Sequence, residues 1–301
     1  MGKVYEFSDI AGNRVPKPDN FIEAKTTVLT ELSDLASRGE IYGAKIFGSV
    51  AKGAPNERSD FDLLVITSKD TALGQLRDIV ARIRNQTNVD IEPLVVDEEF
   101  AARGFHSIED LFLDHIRDIP VEGNVAGRDP MEIIRSFGLP VAIVHKQYLA
   151  QKLRRLREGV FTHSNADRIK ILQRALEAPV NVGRRTLQVL FSLRDIVLSD
   201  DRKPAVIQAF RKTFQNTNLM LPFEYLLDRD NFYTAYLRET MQRNVSEQEY
   251  QTTIATLVDD CVPRAIKWTS DLSQTFASEL ERDQVFGETG RTRRGGKERY
   301  L

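Results

Sequence analysis

The sequence holds one cysteine, Cys261, among 301 residues. That excludes an internal disulfide framework and any cysteine-built zinc site. Cys261 lies in a stretch with helical spacing, so it reads as a small buried apolar side chain. The four histidines, His106, His115, His145 and His163, make no metal-ligand spacing with one another or with Cys261, and each reads as a satisfied or exposed imidazole. Net charge is also scarce: Lys+Arg 42 against Asp+Glu 44 leaves −2. Binding of nucleic acid through bulk positive charge is thereby excluded, although a local basic face is not. No apolar run approaches the roughly 18 residues of a membrane span. MGKVYEFSD lacks a signal-peptide core, and Glu6 stands where a myristoylation signal needs Ser or Thr. The expectation is a soluble, cytoplasmic protein. Gly 17 and Pro 11 are too few for a collagen-like or low-complexity chain, and no repeat of fixed period is present.

What is there is an ordinary globular composition, 41% hydrophobic and 29% charged, long enough for two domains. Residues 1–19 are polar and carry Gly12, Pro16 and Pro18, which reads as an irregular lead-in. Helical spacing runs from Phe21 to Arg38 and stops at Gly39. Tyr42 to Phe47 and Phe61 to Thr67 are short apolar runs that fit buried strands, joined by a polar connection with Gly53 and Pro55. A helix is expected over 70–85, a third strand over 88–96, a short helix over 107–117 and a further strand over 119–125. Beyond about Met131 the strand signals fade. Segments 145–158, 165–198, 203–214, 223–243 and 246–282 read as helices, with Pro179, Pro222 and Pro263 marking breaks or kinks. Ser246 followed by Glu249 resembles a capping box. The expected organisation is an α/β domain with a mixed sheet over 1–130, an all-α helical domain over 131–285, and a basic tail over 286–301.

The chemistry-bearing residues cluster in the first half. Asp60 and Asp62 are two apart at the start of a strand, so alternation puts both carboxylates on one face. Neighbouring carboxylates repel unless a cation lies between them. Asp90 arrives on the next expected strand after one intervening helix. Three hard oxygen ligands converging from adjacent strands suit magnesium, with waters and substrate phosphates completing the octahedron. Gly48-Ser49 ends the strand before the pair, where a glycine lets backbone approach a ligand and a hydroxyl with free N–H groups can hold phosphate oxygens. Lys52, just beyond, would add positive charge near a triphosphate. Together these describe a site for a metal-bound nucleoside triphosphate.

IFGSVAKGAPNERSDFDLLVI followed by VDIEPLVV resembles the DNA polymerase β-type nucleotidyltransferase superfamily, whose signature is GS, a spacer, DxD and a later acid flanked by apolar residues. In style it is similar to the minimal bacterial and the aminoglycoside nucleotidyltransferases. The resemblance covers about residues 40–100. Glu92 lies on the same strand face as Asp90, and the flanking Val89 and Ile91 favour Asp90 as the third acid. The resemblance implies a nucleotidyltransferase fold and two Mg2+ ions held by Asp60 and Asp62, with Asp90 on the second ion. It further implies a nucleoside triphosphate donor, ATP foremost, with Gly48, Ser49 and Lys52 at its phosphates. A nucleoside monophosphate would pass to an acceptor hydroxyl with release of pyrophosphate.

The acceptor is open between a small molecule, an RNA such as tRNA, and a partner protein. Asp228, Asp230, Asp259 and Asp260 could meet an amine-bearing acceptor. The basic stretch 145–158, with Lys146, Lys152, Arg154, Arg155 and Arg157, could meet RNA, with Arg184-Arg185 of the next helical segment adding to it. Its Leu149, Leu153 and Leu156 fit a solvated amphipathic helix better. Arg157 and His163 resemble the Arg-x4–6-His motif of HEPN ribonucleases, but Gly159 interrupts the helix the motif would occupy. The helical half is expected to shape an acceptor pocket or a homodimer interface. The rival reading is a toxin–antitoxin component or inactive nucleotide-binding scaffold that acts through protein contacts.

Overall fold

Strands covered on both faces read as continuous apolar runs, and Phe61–Thr67 is such a strand: every residue except Asp62 is buried. The computed structural model describes residues 3–106, 108, 110–136, 140–161, 164–194, 203–215, 217–243 and 245–289. In chain order the first unit contains α1 (Phe7–Ala11), α2 (Pro18–Ser37), β1 (Ile41–Phe47), α3 (Gly48–Ala51), β2 (Phe61–Thr67), α4 (Thr71–Thr87), β3 (Ile91–Asp97), α5 (Glu98–Arg103), α6 (Asp110–Arg117), β4 (Val125–Gly127) and a 3-10 turn at Pro130–Glu132. The sheet order is β3-β2-β1-β4. β1 is antiparallel to both β2 and β4, and β3 is parallel to β2. The parallel pair requires a crossover, which α4 supplies.

Alternation along β2 divides the core in two. Phe61, Leu63 and Val65 pack with Val28, Leu32, Leu76 and Ile83 of α2 and α4. Leu64 and Ile66 turn the other way, onto Phe47, Val96, Ile116 and Ile134. Each such side chain contributes about 1.5–3 kcal/mol by leaving water. Lys45 sits within the apolar run of β1 at 1% exposure, its ammonium 3.0 Å from Asp129. Asp129 also caps the 3-10 turn by accepting the Met131 N–H. That anchor, with Met131, Ile133 and Ile134 packed on the second core, draws these residues into the first unit. The two compact units are 1–139 and 140–301, so the division falls at 139/140 rather than 130/131.

Three expectations for this unit change. The lead-in contains α1, and its Val4, Tyr5 and Val15 are buried. The strand expected over 119–125 is turn up to Asn124, with β4 beginning at Val125. The short helix α5 is additional: Asp97 accepts the N–H groups of Glu99 and Phe100, and Gly104 closes it in the left-handed region.

The second unit consists of α7 (Val141–Gly159), α8 (Asn165–Ser192), α9 (Lys203–Phe214), α10 (Met220–Gln242) and α11 (Glu247–Thr289). Ser164 and Ser246 cap α8 and α11, accepting the N–H groups of Asp167 and Glu249. Pro222 lies in the first turn of α10, where no intrahelical N–H is needed. Pro179 and Pro263 lie inside continuous helices rather than ending them. Phe210, Phe223 and Trp268 form the aromatic centre, and Gly183 of α8 leaves room for the Phe210 ring. α11 continues into the segment expected as a tail, and residues 290–301 lie outside those described. Among the described residues no helix is long and apolar enough to cross a membrane.

Candidate active site

β1 ends at Phe47, and the chain turns on Gly48 at φ +71°, a left-handed conformation that favours glycine. Gly48 opens the one-turn helix α3, whose Ser49 is half-buried and whose following residue, Lys52, is exposed. The connection then folds on itself: the Asn56 side chain accepts the Arg58 N–H at 2.9 Å, and Ser59 Oγ accepts the Asn56 N–H at 2.9 Å. This Asx-type turn delivers Asp60 to the start of β2.

Phe47 is the cross-strand partner of Asp62, so Gly48 lies directly beside the second acid of the pair. A Cβ built on Gly48 would overlap the Asp62 carboxylate. The missing side chain is therefore the space in which that carboxylate sits. Gly48 and Asp62 are brought together, and both Asp60 and Asp62 remain half-buried rather than sealed.

Asp90 is placed differently. It precedes β3 by one residue, and one carboxylate oxygen takes Arg84 Nε at 2.8 Å while the other takes the Lys3 ammonium. The parallel register pairs Asp62 with Glu92, which is exposed. Among the described residues no group of three or more His, Cys, Asp or Glu stands close enough to hold a metal ion. Sequence reasoning missed Lys3 and Arg84. Arg84 carried a signal, being a cation in the last turn of the helix that leads into Asp90; Lys3 lies 87 residues away and carried none.

The other candidates resolve toward packing. Burial drives the His145 imidazole down to about 3, and its Nε2 lies 3.0 Å from the Thr186 hydroxyl. Burial likewise pushes the Cys261 thiol up to about 12. On α7, Leu149 and Leu156 are buried while Lys146, Arg154, Arg155 and Arg157 are exposed, an amphipathic arrangement. Asp230 pairs with Lys203 at 2.8 Å, and Asp260 lies 3.2 Å from both Arg229 and Arg264. Asp228 and Asp259 are exposed. Gly159 is the last residue of α7, and His163 lies outside the described residues.

Residues 31–104 match the family described as Polymerase beta, Nucleotidyltransferase. The matched segment runs from within α2 through α5 and contains Gly48-Ser49, Asp60, Asp62, Asp90 and Glu92. No curated protein matches the sequence. With the GS turn seated against the DxD strand, residues 31–104 are a polymerase beta-like nucleotidyltransferase domain, and a helical region follows it.

Proposed function

We propose that this protein transfers a nucleoside monophosphate, AMP from ATP foremost, to a hydroxyl of a small molecule, an RNA or a partner protein. The observation that carries the reading is the Asp62 carboxylate lodged in the gap left by Gly48, which joins the two halves of the signature in one site. In the transfer, the acceptor oxygen bonds to the α-phosphorus and the bond to the α,β-bridging oxygen breaks. Pyrophosphate leaves with that electron pair, and the hydroxyl proton passes to a carboxylate, for which Asp90 is the proposed base. Gly48, Ser49 and Lys52 would hold the β- and γ-phosphates.

The residues fit a hard divalent cation in part. Asp60 and Asp62 offer carboxylate oxygens at one strand end, half-buried and beside a cradle that any Cβ on Gly48 would fill. Asp90 could join them on a second Mg2+ only after Lys3 lets go of it. When bound, Mg2+ would neutralise triphosphate charge and favour attack at phosphorus.

The test is incubation with Mg2+ and each α-labelled nucleoside triphosphate in cell lysate, following label into protein, RNA and small-molecule fractions. Label that disappears in Asp60→Asn/Asp62→Asn supports the reading, and its fraction names the acceptor class. Absence of acid-dependent label in every fraction overturns it in favour of a scaffold or toxin–antitoxin component.

A further inference from the structure

The geometry points to Lys3 as a resident counter-cation of the third acid: its ammonium holds Asp90 while no divalent ion is bound and has to be displaced when one enters. This rests on the nucleotidyltransferase reading above. Lys3 is not carried on a loose arm. Its N–H donates to the Arg58 carbonyl at 2.8 Å, and Arg58 Nε donates back to the Lys3 carbonyl at 2.9 Å. The Tyr5 hydroxyl donates to the Glu57 carbonyl at 2.5 Å, and Tyr5 is buried. Arg58 itself is 4% exposed. Segment 57–58 leads straight into Asp60, so the loop that delivers the first acid also fixes the lysine that occupies the third.

Physical chemistry makes the two occupants competitors. The Lys3 and Asp90 side chains are 24% and 31% exposed, so solvent screens their attraction less than it would a surface pair. A partly buried carboxylate such as Asp90 needs positive charge nearby. Lys3 supplies it from the chain, and a divalent ion would supply it from solution. Arg84 can stay on the other oxygen of Asp90, because it approaches from α4. Linkage then has two consequences. Removing the Lys3 charge strengthens ion binding, and ion binding loosens the Lys3 segment by the same free energy.

The test is a Mn2+ titration of the full chain without nucleotide, followed by electron paramagnetic resonance. Lys3→Met is expected to bind Mn2+ at least about 5-fold more tightly than the parent, and Lys3→Arg to bind like the parent. In an Asp90→Asn background the gain from Lys3→Met should vanish. Amide exchange supplies a check on the unsubstituted chain: Mn2+ should speed exchange at the Lys3 N–H several-fold, in keeping with that coupling. Unchanged or weaker Mn2+ binding in Lys3→Met, a gain that survives Asp90→Asn, or exchange that Mn2+ leaves unaltered overturns the inference. If Mn2+ binding depends on Asp60 and Asp62 but ignores Lys3, only this inference falls. If no acid-dependent binding occurs at all, the nucleotidyltransferase reading falls with it.

Discussion

At the start of β2, Asp60 and Asp62 stand half-exposed, and nearby Asp90 is matched by Lys3 and Arg84. In the helical unit, His145 and Cys261 are 1% and 0% exposed and are held in their uncharged forms chiefly by desolvation, with the Asp260 carboxylate adding to the effect on the thiol. The two sets of groups are handled by different physics. Around Asp90 charge is kept and compensated with opposite charge; around His145 and Cys261 the charge is removed by removing water. Buried and uncharged, the imidazole and thiol belong to packing, whereas the half-buried acids of β2 stay open to a ligand.

The contrast can be broken most severely at Lys45, the one charge of β1 that is both buried and kept. Asp129→Asn would strand that ammonium and is expected to cost about 3–5 kcal/mol in denaturant unfolding. Replacing both partners, Lys45→Met with Asp129→Asn, should recover most of the loss, because no unpaired charge then remains. A double variant as unstable as the single one would show that the stranded ammonium is not what the single change costs.

Gly48 and Gly53 sharpen the contrast within one loop. Both have positive φ, but a Cβ on Gly48 meets the Asp62 carboxylate, whereas one on Gly53 meets nothing within 4 Å. Each Gly→Ala change should cost about 1 kcal/mol of backbone strain. Only Gly48→Ala should also displace the acid, lowering nucleotidyl transfer about 100-fold. Equal activities for the two variants would remove Gly48 from the site.

For His145 the effect is a pH slope. Burial holds the folded imidazole at about 3 against the ordinary 6.5, so below 6.5 the unfolded chain binds the extra proton. Stability is fully present above 6.5 and is lost as pH falls toward 3, at up to about 1.4 kcal/mol per pH unit. Thermal melts of the parent and His145→Gln across that window should diverge at acid pH. Parallel curves would mean that the imidazole is not buried neutral. The smallest effect concerns Cys261, whose thiol should resist alkylation at pH 8 until the chain is unfolded.

Most of the secondary structure was legible where one period dominates. Phe61–Thr67 and Lys203–Phe214 begin and end where their apolar spacing says they should. The nearness of Gly48 to Asp62 was legible because both lie within one hairpin-like segment. The misses of Lys3 and Asp129 share a cause. They lie 87 and 84 residues from their partners Asp90 and Lys45, and periodicity carries no information about such pairings. The lead-in looked irregular because Val4, Tyr5 and Val15 are too widely spaced to form a pattern, although each is buried. α5 was readable from its Asp97 cap and its Gly104 stop, but at 6 residues it has no periodicity to support them.

The parallel pairing of β3 with β2 also sets an order of events as the chain folds. β1 and β2 meet as antiparallel neighbours across the connection that holds Gly48, so the Asp62 cradle needs only a short loop to close. Asp90 reaches Lys3 only after α4 has formed and crossed the sheet, a larger closure with a higher entropic cost and a slower rate. The Asp62 cradle is thus a local feature and the Asp90–Lys3 pair a long-range one, so pulse-labelled amide exchange during refolding should protect the β1–β2 ladder before the Lys3 N–H.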